Sequence, residues 1–255
     1  MIRIDARRRR KSQLKSNLRK DRFVTDVFGR GRPVAPRCMK SFFDRDPAIV
    51  AKELLGCLFA RYVDGRWVGG VIVETEAYLS TGDRASHSFR GRRPGNRTMF
   101  ADPGRLYVYP IHAKYCMNIV TEAVGLGSAV LLRAIQPVWA VDAMVNRRQV
   151  EHPRRWTSGP GMLCHAMDVD RRCDGTNLCN DSTWWISPGV QVSAGRVTRT
   201  TRIGITDRCG ADAVGRPLRF FIDGNRFVSG RAADHRRPRH ETIVDPRLGI
   251  DNPIR

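Results

Sequence analysis

From Ser41 onward the chain alternates short apolar runs with polar, turn-rich stretches, and the pattern predicts more strands than helices. Asp46-Pro47 is an N-cap with Pro at the first helical position. Ile49, Ala51, Leu54 and Leu55 then recur at helical spacing until Gly56 stops the helix. Residues 58–63 and 67–73 are apolar, β-branched runs on either side of Asp64-Gly65-Arg66, which is a hairpin signal. Buried strands are predicted at 106–109 and 128–134. Residues 137–149 predict a helix with Pro in its first turn and Arg147 and Arg148 in its last, where cations suit the helix dipole. Ser158-Gly159-Pro160-Gly161 opens a short helix through Met167, and a polar loop over 168–183 follows. Further short strands are predicted at 184–186, 190–192, 197–205 and 218–221. Asp223-Gly224 then turns the chain back through Phe227 and Val228.

Helices sit among these strands without regular βα alternation, which argues against a parallel sheet. The expected fold class is α+β, a single domain with a curved, largely antiparallel β-sheet surrounded by helices. No internal repeat is visible. Residues 81–104 form a long basic loop punctuated by Pro94-Gly95 and Pro103-Gly104, and a loop of that length in a compact domain is usually functional or disordered. Three segments are expected: a basic, disordered arm over 1–40, a folded domain over 41–230, and a polar, Arg- and Pro-rich tail over 231–255.

Charge narrows the partners. The formal net charge is +20, and residues 1–40 carry fourteen Lys or Arg against three Asp, so the remainder is basic as well. A basic folded part points to an anionic partner, and nucleic acid fits better than membrane because no basic amphipathic helix is seen. The arm reads either as an aid to salt-sensitive phosphate binding or as an over-long start, with Met39 as the alternative initiator. Seven cysteines without a C-x-x-C pair suggest neither a disulfide framework nor a zinc site, so reduced, mostly buried thiols are expected. No metal or cofactor is called for. No apolar run approaches a membrane span, and no apolar segment follows the N-terminal arginines. A cytoplasmic, nucleoid-associated location is expected.

The chemistry concentrates between Gly69 and Asn118. Glu74 and Glu76 lie two apart in a strand-like run, so they lean toward one face. Close behind come His87, the basic loop, two tyrosines at 107 and 109, and Asn118. Arg133 sits among Val130, Leu131 and Leu132. An arginine there either pairs with a buried acid such as Glu74 or Asp83 or points into a cleft.

The motifs occur in a telling order: Val73-Glu74-Thr75-Glu76-Ala77-Tyr78, Ala85-Ser86-His87-Ser88, Arg97-Thr98-Met99-Phe100, Pro103 to Tyr109, Cys116-Met117-Asn118, Leu131-Leu132-Arg133-Ala134, and Ser158 to Cys164. Together, over about residues 41–230, they resemble the 3-methyladenine (alkyladenine) DNA glycosylase family of the mammalian type. The resemblance implies a monofunctional, cofactor-free enzyme of base excision repair, and a monomer is expected because an enzyme that scans for one lesion needs no two-fold symmetry. It would flip a damaged purine out of double-stranded DNA and hydrolyse its N-glycosidic bond with an activated water. It implies Glu76 as the base, with Arg133 near the attacking water or the phosphate backbone and Glu74 in a structural role. Tyr78, His87 and Tyr109 would sandwich the flipped base. Asn118 would floor the pocket and disfavour guanine.

One segment departs from the family pattern. The family places a tyrosine, then Gly and a bulky residue, in the hairpin after Tyr109, as a wedge into the duplex. Here Pro110 to Tyr115 is one residue shorter. His112 is the nearest match, with Ile111 or Lys114 as alternatives. Lys114 and Arg97 are expected to contact DNA phosphates. A Schiff-base role for Lys114, which lyases require, is the lesser reading. Two rival functions use the same residues: a metal-dependent nuclease holding Mg²⁺ on Glu74, Glu76 and Asp83, and a non-catalytic nucleic-acid-binding protein.

Overall fold

A computed structural model of the chain describes Pro33 and residues 35–230. The expectations for nearly all of the basic arm and for the tail over 231–255 lie outside the described residues. Helix α1 (Lys40–Phe43) leads into helix α2 (Pro47–Glu53), and the Asp46 carboxylate caps α2 by accepting the N–H groups of Ala48 and Ile49 at 2.8 and 3.1 Å. Strands β1 (Leu58–Val63) and β2 (Arg66–Tyr78) form the predicted hairpin. Asp64 and Gly65 both take positive φ at its turn, which favours Gly at the second position. Strand β2 continues well past Val73, so Glu74, Thr75 and Glu76 lie inside it rather than beyond its end.

Strands β3 (Leu106–Ile111), β4 (Lys114–Thr121) and β5 (Ser128–Trp139) follow as an antiparallel meander. Then come helices α3 (Val141–Arg148) and α4 (Pro160–Ala166), strands β6 (Trp184–Ser187) and β7 (Val197–Thr200), helix α5 (Ala211–Gly215) and strand β8 (Arg219–Ile222). The sheet order is β3-β4-β5-β2-β1-β6, with β8 beside β2 and β7 beside β8. Every pairing is antiparallel, which gives the α+β architecture.

Three sequence expectations need correction. The helix predicted over 137–149 begins only at Val141, because Pro137 belongs to β5 and pairs with Gly70 of β2. Strand β4 covers β5 only between Ser128 and Leu131. Beyond that, the free edge carries one bridge, from Ala134 to Ser158, and an edge position tolerates a residue that lacks an N–H. The strands predicted at 190–192 and 197–205 also shrink. Residues 190–192 form no ladder; Val190 donates only to the Gly56 carbonyl at 2.9 Å. Strand β7 stops at Thr200, since Arg202 and Ile203 turn inward to Asp83 and Glu76.

Strand β2 is the centre of the fold. One of its edges pairs with β5 from Gly69 to Tyr78. The other pairs with β1 as far as Val71 and with β8 from Glu74 to Glu76. The sheet therefore forks where the two carboxylates lie. Against the β5 edge the register slips on both sides of Glu74, a bulge that re-aims side chains. One face of this region packs on the helices: Val73, Ala77, Val130, Leu132, Met117 and Ile119 join Leu54 of α2 and Leu163 of α4 in the main core. Thr75 seals that side with a hydrogen bond to the Ala51 carbonyl at 2.7 Å.

Candidate active site

The opposite face carries the chemistry, and the pairing register explains why. Residues directly opposed in an antiparallel ladder point to the same face. Tyr107 pairs with Asn118, Asn118 with Leu131, Leu131 with Glu76, and Glu76 with Arg219. These five residues form one row across five strands. In the flanking rows alternation puts Tyr109 and Cys116 on one side and Tyr78 on the other, and Glu74 and Arg133 lie on this face too.

Within this face, Arg133 bridges the two carboxylates. Its Nε donates to Glu74 Oε1 at 2.9 Å, and its Nη1 lies 3.1 Å from Glu76 Oε2. Glu74 is fully enclosed. Oε1 also accepts from Arg219 Nε at 2.7 Å and the Ser229 hydroxyl at 2.9 Å, while Oε2 accepts the Ser229 N–H at 2.7 Å. Burial pushes the Glu74 pKa up, but Arg133, Arg219 and the Ser229 N–H more than reverse this and hold it below the ordinary 4.5. With four donors on it and no exposure, Glu74 has the setting of a structural anion. Glu76 is buried too, and its partners differ. Oε1 accepts the Ile203 N–H at 2.7 Å, and Oε2 accepts the Tyr78 hydroxyl at 3.1 Å besides facing Arg133.

Above Glu76 lies an aromatic group. His87 sits against Tyr109, ring centroids 4.4 Å apart, and its Nδ1 is 2.9 Å from the Tyr107 hydroxyl. Tyr107 and Tyr109 are 5.4 Å apart, and Tyr78, Tyr109 and Phe100 pack on a cluster of Met99, Tyr107, Val120 and Ala129. Partial burial of its ring lowers the His87 pKa below the usual 6.5 and favours the neutral imidazole, and burial raises Tyr107 to about 12. Burial, reinforced by nearby Glu76, raises Tyr78 well above 10, so its hydroxyl stays a neutral donor to the carboxylate. His87 is solvent-exposed while Tyr78 and Tyr109 are half-buried, so the group opens outward over a buried acid. Asn118 lies beneath, its amide donating to the Tyr107 carbonyl at 3.1 Å.

Four elements of this site carry no local sequence signal: Arg219, Ser229, the Ile203 N–H, and Arg202. The Arg202 guanidinium grips both oxygens of Asp83 at 2.6 and 2.7 Å and stands 4.7 Å from the Tyr78 ring centroid. Asp83 and Glu74 therefore face guanidinium groups, and a cation shared among Glu74, Glu76 and Asp83 would have to displace them. Among the described residues no cluster of His, Cys, Asp and Glu has the geometry of a metal site.

The remaining predicted residues lie around the rim. Arg97 is exposed on the 3₁₀ turn Pro94–Phe100. His112 occupies the tip of the β3–β4 hairpin with φ of +51°, exposed beside Ile111. The Lys114 side chain lies along Gly161 of α4, where any Cβ would come within 2.9 Å of its Cδ, and its Nζ is 3.8 Å from the Met162 sulfur. An open groove of about 440 Å³ runs between this hairpin and residues 158–162, and Cys116 forms its inner wall. Arg148, Arg154 and Arg155 line a second recess that shares Ser158 and Met162 with it.

Comparison with known proteins gives the family. Residues 41–226 match the family model of methylpurine-DNA glycosylase. A Rhodopirellula baltica protein named as a 3-methyladenine DNA glycosylase is 55% identical over 207 residues, covering 79% of this chain and 87% of that protein. Proteins with the same name from Methanoculleus marisnigri and Bacillus subtilis are 41% and 40% identical. They cover 75% and 74% of this chain and 97% and 94% of their own lengths.

Proposed function

Because the chain belongs to the methylpurine-DNA glycosylase family, we propose that its Glu76 carboxylate activates the water that cuts an alkylated purine from DNA. The protein is a DNA-3-methyladenine glycosylase acting in alkylated-base repair, and its substrate is DNA. The observation that carries the finer reading is the placement of Glu76 in one sheet row with Tyr107 and Asn118, beside Tyr78 and the His87–Tyr109 pair.

A purine stacked in a duplex is out of reach, so it is flipped out at a cost of a few kcal/mol. Stacking on an aromatic side chain returns about 1–3 kcal/mol per base, and Tyr78 on one side with His87 and Tyr109 on the other supply it. Glu76 then takes a proton from water as the water oxygen bonds to C1′. The glycosidic bond breaks, and its electrons leave with the base. The same anion stabilises the oxocarbenium-like transition state. Arg133 fixes the carboxylate between its two partners. Asn118, at the pocket floor, disfavours guanine by opposing its exocyclic amine. Water, rather than Lys114, is the nucleophile, which makes the enzyme monofunctional. Arg97, His112 and Lys114 contact duplex DNA, with His112 at the tip that enters it. The enzyme works as a monomer at the nucleoid. Among the described residues no helix is long and apolar enough to cross a membrane.

The test is single-turnover release of free base in EDTA from a duplex carrying one alkylated adenine or hypoxanthine, with wild type beside Glu76→Gln. Abasic product from the wild type alone is expected. Strand nicks that appear only with Mg²⁺ would establish a nuclease instead. Salt-sensitive binding without product would leave a DNA-binding relative.

A further inference from the structure

We propose that Arg202 sets how the site divides its preference between cationic and neutral damaged bases, acting through the Tyr78 ring. This rests on the reading of Tyr78 as a stacking surface. The guanidinium is wholly buried, held by both Asp83 oxygens and by the Ala77 carbonyl at 3.0 Å. Asp83 is anchored in turn by the N–H groups of Leu79 and Ala85 at 3.1 and 3.2 Å. The cation stands 4.7 Å from the Tyr78 centroid and cannot swing away. His87 makes its ring contacts with Tyr107 and Tyr109, and on the reading above the base takes the face of Tyr78 turned away from the guanidinium.

An aromatic face attracts positive charge through its quadrupole. A cation fixed behind the ring draws π density toward itself, so the opposite face becomes a poorer partner for a second positive charge. Without it, stacking alone would favour cationic N-alkylpurines strongly. With it, neutral lesions compete. Asp83 offsets part of the charge, so the pair works as a fixed bias on the stacking ring. Arg202 is thus a specificity-determining residue that need not touch the base. The next residue, Ile203, contacts the catalytic carboxylate directly.

The experiment measures single-turnover excision by the full chain from duplexes carrying 7-methylguanine, which is cationic, or hypoxanthine, which is neutral. The readout is the ratio of the two rates. Removing both charges with Arg202→Met and Asp83→Leu together avoids stranding a buried carboxylate. It should raise the cationic-to-neutral ratio about threefold. Asp83→Asn leaves the cation uncompensated and should lower the ratio. Arg202→Lys, which keeps the charge, should stay near wild type. A purely structural role would slow both reactions together. Unchanged ratios, or shifts of one sign in both charge variants, overturn the proposal, as does a wild type that releases only the cationic base. Tyr78→Ala separates the two levels. If it leaves both rates intact, the stacking reading itself is wrong. If it abolishes both while the Arg202 and Asp83 ratios stay flat, only this inference falls.

Discussion

The backbone N–H of Ile203 points at Oε1 of Glu76 across 2.7 Å, although 127 residues separate the two. This contact and the Arg133 guanidinium hold the carboxylate from opposite ends, one at each oxygen. The Glu76 carboxylate is therefore positioned by tertiary structure, and its neighbours should be as sensitive to substitution as it is.

Arg133→Met tests the cation. The change leaves Glu76 buried without its charge partner and removes one of the two arginines on Glu74. Breaking one side of a buried ion network costs about 3–5 kcal/mol, so urea unfolding should show a large loss of stability. Under conditions where the variant stays folded, single-turnover excision should fall by about 10²-fold or more. A variant as active as wild type would show that Arg133 is only a structural partner of Glu74.

Glu74 makes a pH prediction. Its folded pKa lies below the ordinary 4.5, so its stabilisation is fully present above that value. It is lost as pH falls through the depressed folded pKa. Glu74→Gln should therefore cost stability at pH 7, and the gap to wild type should narrow under acid. Denaturant midpoints from pH 7 down to 3 would show this. A gap independent of pH would mean that the carboxylate charge is not what Arg133 and Arg219 recognise.

Much of this site was legible in the sequence, and the illegible part has a common cause. Two-residue alternation was enough to place Glu74 and Glu76 together, and ordered local motifs pointed to Tyr78, His87, Tyr109 and Asn118. Nothing local distinguishes Arg202 from Arg199, or Arg219 from Arg216. They acquire their roles by pairing with residues 119 and 145 positions away. The misplaced helix start has a similar origin. Pro137 looks like a first helical residue, and its place on an edge of β5 that β4 does not cover makes it acceptable in a strand.

Gly70→Ala probes the central strand. A Cβ at Gly70 would lie 1.9 Å from the Gln136 carbonyl oxygen and 3.0 Å from the Pro137 Cα, both of them backbone atoms. The β2–β5 pair would have to separate, and overpacking of this kind costs about 1–3 kcal/mol or more. Thermal unfolding should fall by several degrees, whereas Gly65→Asn at the exposed hairpin turn should change little.

Exposed cations should behave differently. Arg97→Ala and Lys114→Ala remove charge from the rim without touching the Glu76 network. Each should weaken duplex binding more at low salt and reduce the salt slope by about one, if each meets one phosphate. Saturating single-turnover rates should stay near wild type. A Lys114→Ala variant that binds normally but cannot release base would instead point to the lysine as nucleophile.

The fork in β2 has a consequence for the order in which the enzyme becomes competent. By the time synthesis has passed Ser187, six of the eight strands exist, and they include Glu74, Glu76 and Arg133. The other flank of the acids still has no neighbour, because β8, Ile203 and Ser229 have yet to be made. A ribosome-bound chain at that stage holds Glu76 in an unfinished setting, with Oε1 lacking its amide donor and Glu74 lacking its second arginine. Activity should thus switch on late and abruptly, with the arrival of residues 197–229, which bring the last contacts of Glu74 and Glu76 together with the core side chains Leu218, Phe220 and Phe221.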